Sequence, residues 1–336
     1  MRDIGAVILA AGKGTRMKSE KPKVTFPLAG KPLVQRVVDT ALKVGCSIIS
    51  AVVGYKKDDV IACIYNDDRI KFVEQKEQKG TGHAVMTAEP SFKDFSGDIF
   101  ILCGDVPLLT SDTLKKLRKF HTENKSACTI LTAVMENPDK YGRIIRNEKG
   151  FVEKIVEFKD ASEEQRKIRE INTGVYCFDS EKLFEALGKT DNNNNQNEYY
   201  LTDTLEILNK ANEKVCAIEL TDLKEALGVN SQLHLADLED VYYDSIRRHW
   251  LQNGVVIENP KSVIIGEDVK IENDTFIGAN TVIKGKSVIG KYTVVGTNCF
   301  LEDANIEQNC RLKGYNIVVK KSLPANSELA FQEKSV

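Results

Sequence analysis

Two periods alternate along the first 135 residues. Short, branched apolar runs at 4–8, 48–53, 70–73 and 99–102 predict buried strands, since a strand covered on both faces is apolar at successive positions. Between them, 34–44 and 114–120 carry apolar residues at helical spacing. Ser111 and Asp112 stand where the second of these helices would start and can cap it. Strands alternating with helices predict an α/β fold, a doubly wound, Rossmann-like domain with a parallel sheet and helices on both faces. Ligands of such folds sit at the carboxyl ends of the strands. Three polar turns follow strand patterns and would meet there: 9–17, 75–83 and 103–108.

From 136 to 228 the pattern is more mixed. Residues 141–144 and 152–158 predict short antiparallel strands, 159–169 a charged helical or loop excursion, and 171–176 a further strand. The Asn-rich run 192–197 predicts a surface loop without chemistry, and 198–203 opens a helix. Leu233, Leu235, Leu238, Val241, Tyr242, Ile246 and Trp250 then mark a long amphipathic helix at 231–252, a connector. Beyond it the period changes. Ile265, Ile271, Ile277, Ile283, Ile289, Val295 and Leu301 recur every six residues. Two positions before each stand Val263, Val269, Thr275, Thr281, Ser287, Thr293 and Cys299, mostly small or β-branched. A six-residue period fits neither a helix nor an ordinary strand; it marks a hexapeptide β-helix. The strict period fades after Leu301, which predicts a short β-helix of about two to three coils. The expected domains are therefore 1–230, a connector helix at 231–252, a β-helix at 253–325 and a polar tail at 326–336.

A length of 336 residues agrees with two domains. Apolar content of 42% and charged content of 29% place the chain among globular proteins with ample core. A formal net charge of −2 argues against a nucleic-acid coat or a polybasic membrane anchor, so neither nucleic acid nor membrane is an expected partner. Eight cysteines without a C-x-x-C pair or His/Cys ligand spacing predict reduced, mostly buried thiols in the cytoplasm. The apolar start has only Arg2 ahead of it, is too short for a membrane span, and runs into a Gly-rich turn rather than a cleavage site. No signal peptide is expected.

The candidate chemistry gathers at the three turns. Leu9, Ala10, Ala11, Gly12, Lys13 and Gly14 lead from a buried strand into Thr15-Arg16-Met17. Glycines there let backbone amides approach an anion, Arg16 adds a planar cationic fork, and Lys23 adds a point charge. The simplest ligand is a polyphosphate. The spacing matches neither a dinucleotide G-x-G-x-x-G nor a P-loop. In the second turn Gln75, Gly80 and Thr81 could read a base edge, although the residues alone favour a solvated loop. His83 is expected to be structural. In the third turn, Cys103-Gly104-Asp105, the carboxylate can hold Mg²⁺ on a nucleotide phosphate or merely cap a turn. Glu157, Asn172, Glu198, Tyr200 and Thr202 lie near strand ends. Together they could form a sugar pocket.

The order of these motifs resembles a known family. Leu9 to Met17, Lys21-Pro22-Lys23-Val24, Gly80 to Ala84, Gly104 to Leu108, Glu170 to Gly174, Asn197 to Asp203, Gly228-Val229-Asn230 and the hexapeptides appear in sequence. The pattern is similar to bifunctional N-acetylglucosamine-1-phosphate uridylyltransferase/glucosamine-1-phosphate acetyltransferases, over nearly the whole chain. The resemblance implies a nucleotidyltransferase domain followed by a left-handed parallel β-helix. It implies a cytoplasmic enzyme that makes UDP-N-acetylglucosamine, a cell-wall precursor, from UTP and N-acetylglucosamine 1-phosphate with Mg²⁺. It places the nucleotide site on Leu9, Ala10, Ala11, Gly12, Gln75, Gly80, Thr81 and the turn Cys103, Gly104 and Asp105. The catalytic phosphate contacts fall on Arg16 and Lys23, and the metal ligands on Asp105 and Asn230. The sugar contacts fall on Gly142, Glu157, Asn172, Glu198, Tyr200 and Thr202. A homotrimer through the β-helix is the corresponding partner expectation.

The C-terminal part departs from the family. There the β-helix is long and carries an acetyl-CoA site; here the hexapeptides are few, so no acetyl transfer is expected. Lys320, Lys321, Pro324 and the polar tail are expected to cap the β-helix. A pyrophosphorylase for another sugar phosphate is the rival enzyme reading, and a non-catalytic nucleotide-sugar sensor the rival from another class.

Overall fold

The structure is a computed structural model, and it describes residues 2–336. The chain forms two compact units that divide between Leu235 and Ala236.

In the first unit, nine strands among the described residues form one sheet. Its main order is Val215–Glu219, Cys128–Val134, Glu170–Asp179, Gly97–Cys103, Asp3–Ala10, Ile48–Val53 and Ile70–Glu74. The period-2 pattern divides its side chains between two cores. Ile4, Ala6, Ile8 and Ala10 face helices Leu33–Val44 and Ser111–Glu123. Val7 and Ala11 face Thr81–Ala88, Ser180–Leu187 and Asp203–Lys210 on the other side. Ile49, Ala51 and Val53 against Val52 repeat the division one strand over. This is the doubly wound arrangement.

Two details differ from the sequence reading. The sheet is not wholly parallel: Glu170–Asp179 runs antiparallel to both Gly97–Cys103 and Cys128–Val134. The helix at Ser111–Glu123 is capped not by Ser111 or Asp112 but by Thr110, whose side chain accepts from the Thr113 amide at 3.2 Å. The hairpin Arg143–Arg146/Val152–Val156 joins the sheet beside Glu170–Asp179.

The second unit opens in helix Gln232–Gln252, whose Ile246 and Trp250 pack on the core of a parallel β-helix. Among the described residues its strands stack in three parallel sheets of five, five and four. The apolar residue every sixth position points inward: Ile277, Ile283, Ile289, Val295 and Leu301 are fully buried. The small residue two places earlier turns a corner. Thr281 donates to the Gly296 carbonyl at 3.0 Å and accepts from the Cys299 amide at 3.3 Å, so one hydroxyl meets backbone groups of the next coil. The residue before it often has positive φ, as at Asn280, Asn298, Asn309 and Asn326, where asparagine is among the side chains best able to adopt that conformation.

The period does not end at Leu301, and 326–336 is no tail. Ile283 stacks on Leu301 eighteen positions later, whereas Leu301 stacks on Val318 seventeen later. One corner between Leu301 and Ile306 and another between Val318 and Leu323 are one residue shorter, which shifts the phase without breaking the stack. Glu328–Leu329 and Lys334–Ser335 are the outermost strands. Lys320 therefore sits at an internal corner, with positive φ, rather than in a cap.

Candidate active site

The first, second and third turns do converge. Gly14 has φ 70°, and a Cβ there would lie 2.5 Å from the Lys23 Cβ, so a glycine lets the Lys23 side chain cross the loop. The Lys23 ammonium pairs with the Asp105 carboxylate and donates to the Asn230 amide oxygen at 3.1 Å. Arg16 donates to the same oxygen at 2.8 Å. Asp105 is set by its turn: Gly104 donates to the Leu9 carbonyl at 3.0 Å, and Val229 donates to the Asp105 carbonyl at 2.9 Å. That last bond brings Asn230 beside Asp105, 125 positions away in the chain. Two cations thus converge on one carboxylate and one amide oxygen.

Arg16, Asp105 and Asn230 line one end of a cavity of about 270 Å³. Of the expected site residues, Leu9, Arg16, Thr81, Cys103, Asp105, Gly142, Glu157, Asn172, Thr202 and Asn230 line it. A β-bulge builds its far side. Register along Glu170–Asp179 jumps between Asn172 and Val175, and Gly174 takes φ 79°. The bulge presents Asn172 beside Gly142, whose carbonyl accepts from the Asn172 amide at 2.9 Å. A Cβ on Gly142 would lie 3.6 Å from a Glu157 carboxylate oxygen, so Glu157 closes that corner.

The remaining expected residues shape the walls. Ala11 is buried, and its carbonyl accepts from Gln78 at 2.7 Å; Ala10 is buried beside it, and Gly12 is exposed. Gln75 is buried and donates to the Gly80 carbonyl at 3.1 Å, with its amide 3.0 Å from His83 Nδ1. Gly80 packs on the backbone of Tyr199 and on Glu198; Tyr199 donates to the Lys79 carbonyl at 2.8 Å, and Leu201 to the Thr81 hydroxyl at 3.2 Å. The Tyr200 hydroxyl accepts from Gln196 at 2.6 Å and donates to Asp160 at 3.2 Å, and it is not in the cavity lining. The Asn-rich loop is therefore more than a solvated turn. Asn194 donates to the Glu198 carbonyl at 2.6 Å, and Gln196 holds Tyr200, so the loop braces one wall of the site. Sequence reasoning missed Tyr141, Val106 and Gly228, which also line the cavity. Tyr141 and Gly228 adjoin expected residues or lie within two positions of them, which is the signal that could have found them.

Electrostatics divide the cavity. Burial, then the charges of Asp160 and Asp203, push the Glu157 carboxyl above its usual range. Burial, then Asp191 and Glu206, lift Asp203 to about 6. Burial pushes the Cys103 thiol to about 12, so it is neutral and no nucleophile. Acidic groups thus gather on the Glu157 side, whereas on the Arg16 side the one carboxylate, Asp105, is paired with Lys23.

Comparison with known proteins identifies the class. The nucleotidyl transferase family matches residues 5–250, and a bacterial transferase hexapeptide family of six repeats matches 268–303. Fold and site therefore define a nucleotidyltransferase with a β-helical appendage. Bifunctional protein GlmU from Geobacillus sp. (strain WCH70) is 44% identical over 324 residues, covering 96% of this chain and 69% of that protein. GlmU from Enterococcus faecalis is 44% identical over 318 residues, 95% of this chain and 68% of that one. GlmU from Bacillus subtilis is 47% identical over 281 residues, 84% and 61%. The chain belongs to the GlmU family, and it is a sugar-phosphate uridylyltransferase. A UDP-glucose pyrophosphorylase complexed with UDP-glucose shares the fold, with a TM-score of 0.59 at 21% identity over 73% of this chain and 100% of that one. Among the described residues, no helix is long and apolar enough to cross a membrane.

Proposed function

We propose that this enzyme makes UDP-N-acetylglucosamine and pyrophosphate from UTP and N-acetylglucosamine 1-phosphate. The observation that carries the reading is one cavity whose lining holds Arg16, with Lys23 bonded to the lining residues Asp105 and Asn230, and a polar end, Gly142, Glu157, Asn172 and Thr202. A sugar phosphate joined to a nucleotide needs both.

The sugar phosphate oxygen attacks the α-phosphorus of UTP in line, and pyrophosphate leaves. A phosphate monoester has a second pKa of about 6, so the nucleophile is already mostly dianionic at neutral pH. No general base is needed, and His83 is committed to Gln75. Arg16 and Lys23 neutralise charge on the phosphates as it shifts toward the leaving group. The Gly-rich loop offers its amides to the triphosphate.

Mg²⁺ fits the residues present. The donor set is one carboxylate and one amide oxygen, both hard, and the Lys23 ammonium already touches both. Among the described residues no group of three His, Cys, Asp or Glu could hold a metal alone, which suits an ion that completes its shell with phosphate oxygens and water. Asp105 and Asn230 would hold it, and it would supply further charge neutralisation at the reacting phosphate. The β-helix is proposed to assemble the enzyme as a trimer, measurable by light scattering.

Pyrophosphate release across a panel of nucleoside triphosphates and sugar 1-phosphates tests the substrate assignment. UTP with N-acetylglucosamine 1-phosphate should give the highest kcat/KM. Glucose 1-phosphate turning over equally well would defeat it, because a pocket that hydrogen-bonds an acetamido group rejects a ligand that leaves partners unmet.

A further inference from the structure

Behind the polar end of the cavity lies a cation that has no carboxylate. Arg143 is 2% exposed, and no ion pair joins it to an acid among the described residues. Its guanidinium instead donates to backbone carbonyls: Asp139 at 2.9 Å, Arg166 at 3.3 Å, Pro138 at 3.4 Å, and Tyr141. It also lies 5.7 Å from the centre of the Phe158 ring, whose other contact is Arg166 at 4.7 Å. Burying a guanidinium among backbone carbonyls is costly, and burial weighs against its charge more than the nearby, unbonded Asp139 carboxylate favours it. A role confined to filling space would be met more cheaply by an apolar side chain.

The register shows what the arrangement holds. Arg143 pairs with Val156 on one side and Ile171 on the other. The residues next in the chain, Gly142, Glu157 and Asn172, all line the cavity. Neighbours along an extended chain point to opposite faces, so Arg143 stands behind the surface that these three present. Three of its acceptors, Pro138, Asp139 and Tyr141, belong to the loop that enters Gly142. The loop has positive φ at Asp139, and the planar fork of Arg143 binds three of its carbonyls at once.

We propose that Arg143 is a positioning residue for the sugar phosphate: its guanidinium fixes the loop 138–142 against the strand ends that carry Glu157 and Asn172. The inference rests on the reading that this end of the cavity takes the sugar. It touches no nucleotide contact, so its effect should fall on one substrate only.

Arg143→Lys keeps the charge but cannot span the carbonyls. The expected result is a loss on the order of 10²-fold in kcat/KM for N-acetylglucosamine 1-phosphate, with KM for UTP unchanged. Arg143→Ala should behave alike and regain sugar-phosphate affinity when guanidinium chloride is added far below unfolding concentrations. If neither variant folds, Pro138→Gly, which loosens the loop but leaves Arg143 intact, should raise the sugar-phosphate KM selectively. Equal losses for both substrates that track a fall in Tm, without rescue, would overturn the inference, as would a Pro138→Gly enzyme with wild-type constants. Wild-type protein that releases no pyrophosphate with any sugar 1-phosphate would overturn the reading of the site and this inference together. Wild-type turnover with an unchanged KM ratio in Arg143→Lys would overturn this inference alone.

Discussion

Asp105→Asn is the sharpest probe of the cationic end. The change is isosteric and keeps one oxygen that can accept from Lys23, so the turn held by the Gly104–Leu9 and Val229–Asp105 backbone bonds should survive. What goes is one negative charge facing Lys23, with both side chains 18% exposed. A hydrogen bond to a charged group contributes about 1.5–3 kcal/mol, so a modest loss of stability is expected, well short of unfolding the domain. Turnover should suffer more. Removing one preorganised electrostatic group costs about 10²–10³ in rate, or about 2.7–4 kcal/mol at the transition state. Because Asp105 is proposed to hold Mg²⁺ with Asn230, the Mg²⁺ concentration for half-maximal rate should rise as well. The assay is pyrophosphate release at saturating UTP and sugar phosphate, titrated with Mg²⁺, beside a thermal melt. Lys23→Met and the double variant complete a cycle. Residues acting on the same phosphate should lose less together than the sum of their separate losses. Near-normal kcat with an unshifted Mg²⁺ midpoint, in a variant that melts like wild type, would refute the metal role.

Glu157→Gln should separate stability from function. Its raised pKa means that the folded chain binds more protons than the unfolded chain between the two pKa values, so wild-type stability falls as pH rises through that window. Gln cannot ionise; the melting temperature of the variant relative to wild type should climb as pH rises above the usual glutamate range of about 4.3, while the sugar-phosphate KM increases. A pH-independent difference would contradict this. Gly14→Ala should cut kcat and weaken UTP binding together, because the new Cβ meets Lys23 at 2.5 Å and the backbone sits at φ 70°; wild-type constants would show that the loop adjusts freely. Thr281→Val removes a fully buried hydroxyl that serves two backbone groups and should destabilise the β-helix by about 1–3 kcal/mol. Urea unfolding followed by fluorescence of Trp250, the single tryptophan, reads that unit, and an unchanged midpoint would count against the corner bonds.

Much of the site was legible because strand ends announce themselves. Apolar runs that stop at Gly-rich or acidic turns point to one edge of the sheet, and Arg16 and Asp105 were reached in that way, whereas the residues around Thr81 alone read as a solvated loop. Asn230 was reached only through family resemblance, since the bond from Val229 to Asp105 has no local signal. Tyr200 shows the limit of reading side chains by type. Its hydroxyl suits a sugar, yet Gln196 and Asp160 occupy it, and nothing in a linear pattern reveals which way a phenol turns. Arg143 was invisible for the opposite reason: a lone arginine in a short strand looks solvent-facing until the loop carbonyls fold over it.

The β-helix was legible only while its period was constant. A strict count of six loses the thread after Leu301, because the next inward residue is Ile306, five places on. The physical constraint is not the number six. It is that each inward side chain must stack on the one a coil below, with the corner residue free to turn. Shortening one corner of a coil from six residues to five preserves both, since strands keep their pairing at a spacing of seventeen as at eighteen. The better sequence marker is the corner. Asn298, Asp303, Asn309, Tyr315, Lys320, Asn326 and Gln332 all take positive φ, and their spacing follows the shortened turns where the apolar count alone breaks. Asparagine and aspartate fill four of those seven places, which is what the cost of a left-handed backbone predicts. A search that pairs a corner Asn or Asp with a small residue next to it, and an aliphatic residue two positions further, would have followed Ala304-Asn305-Ile306 and Cys310-Arg311-Leu312 through the first phase shift and met the pattern again at Asn326-Ser327-Glu328-Leu329, beyond the second shift at Lys320. It would have carried the coils past 326, where polarity alone read a tail.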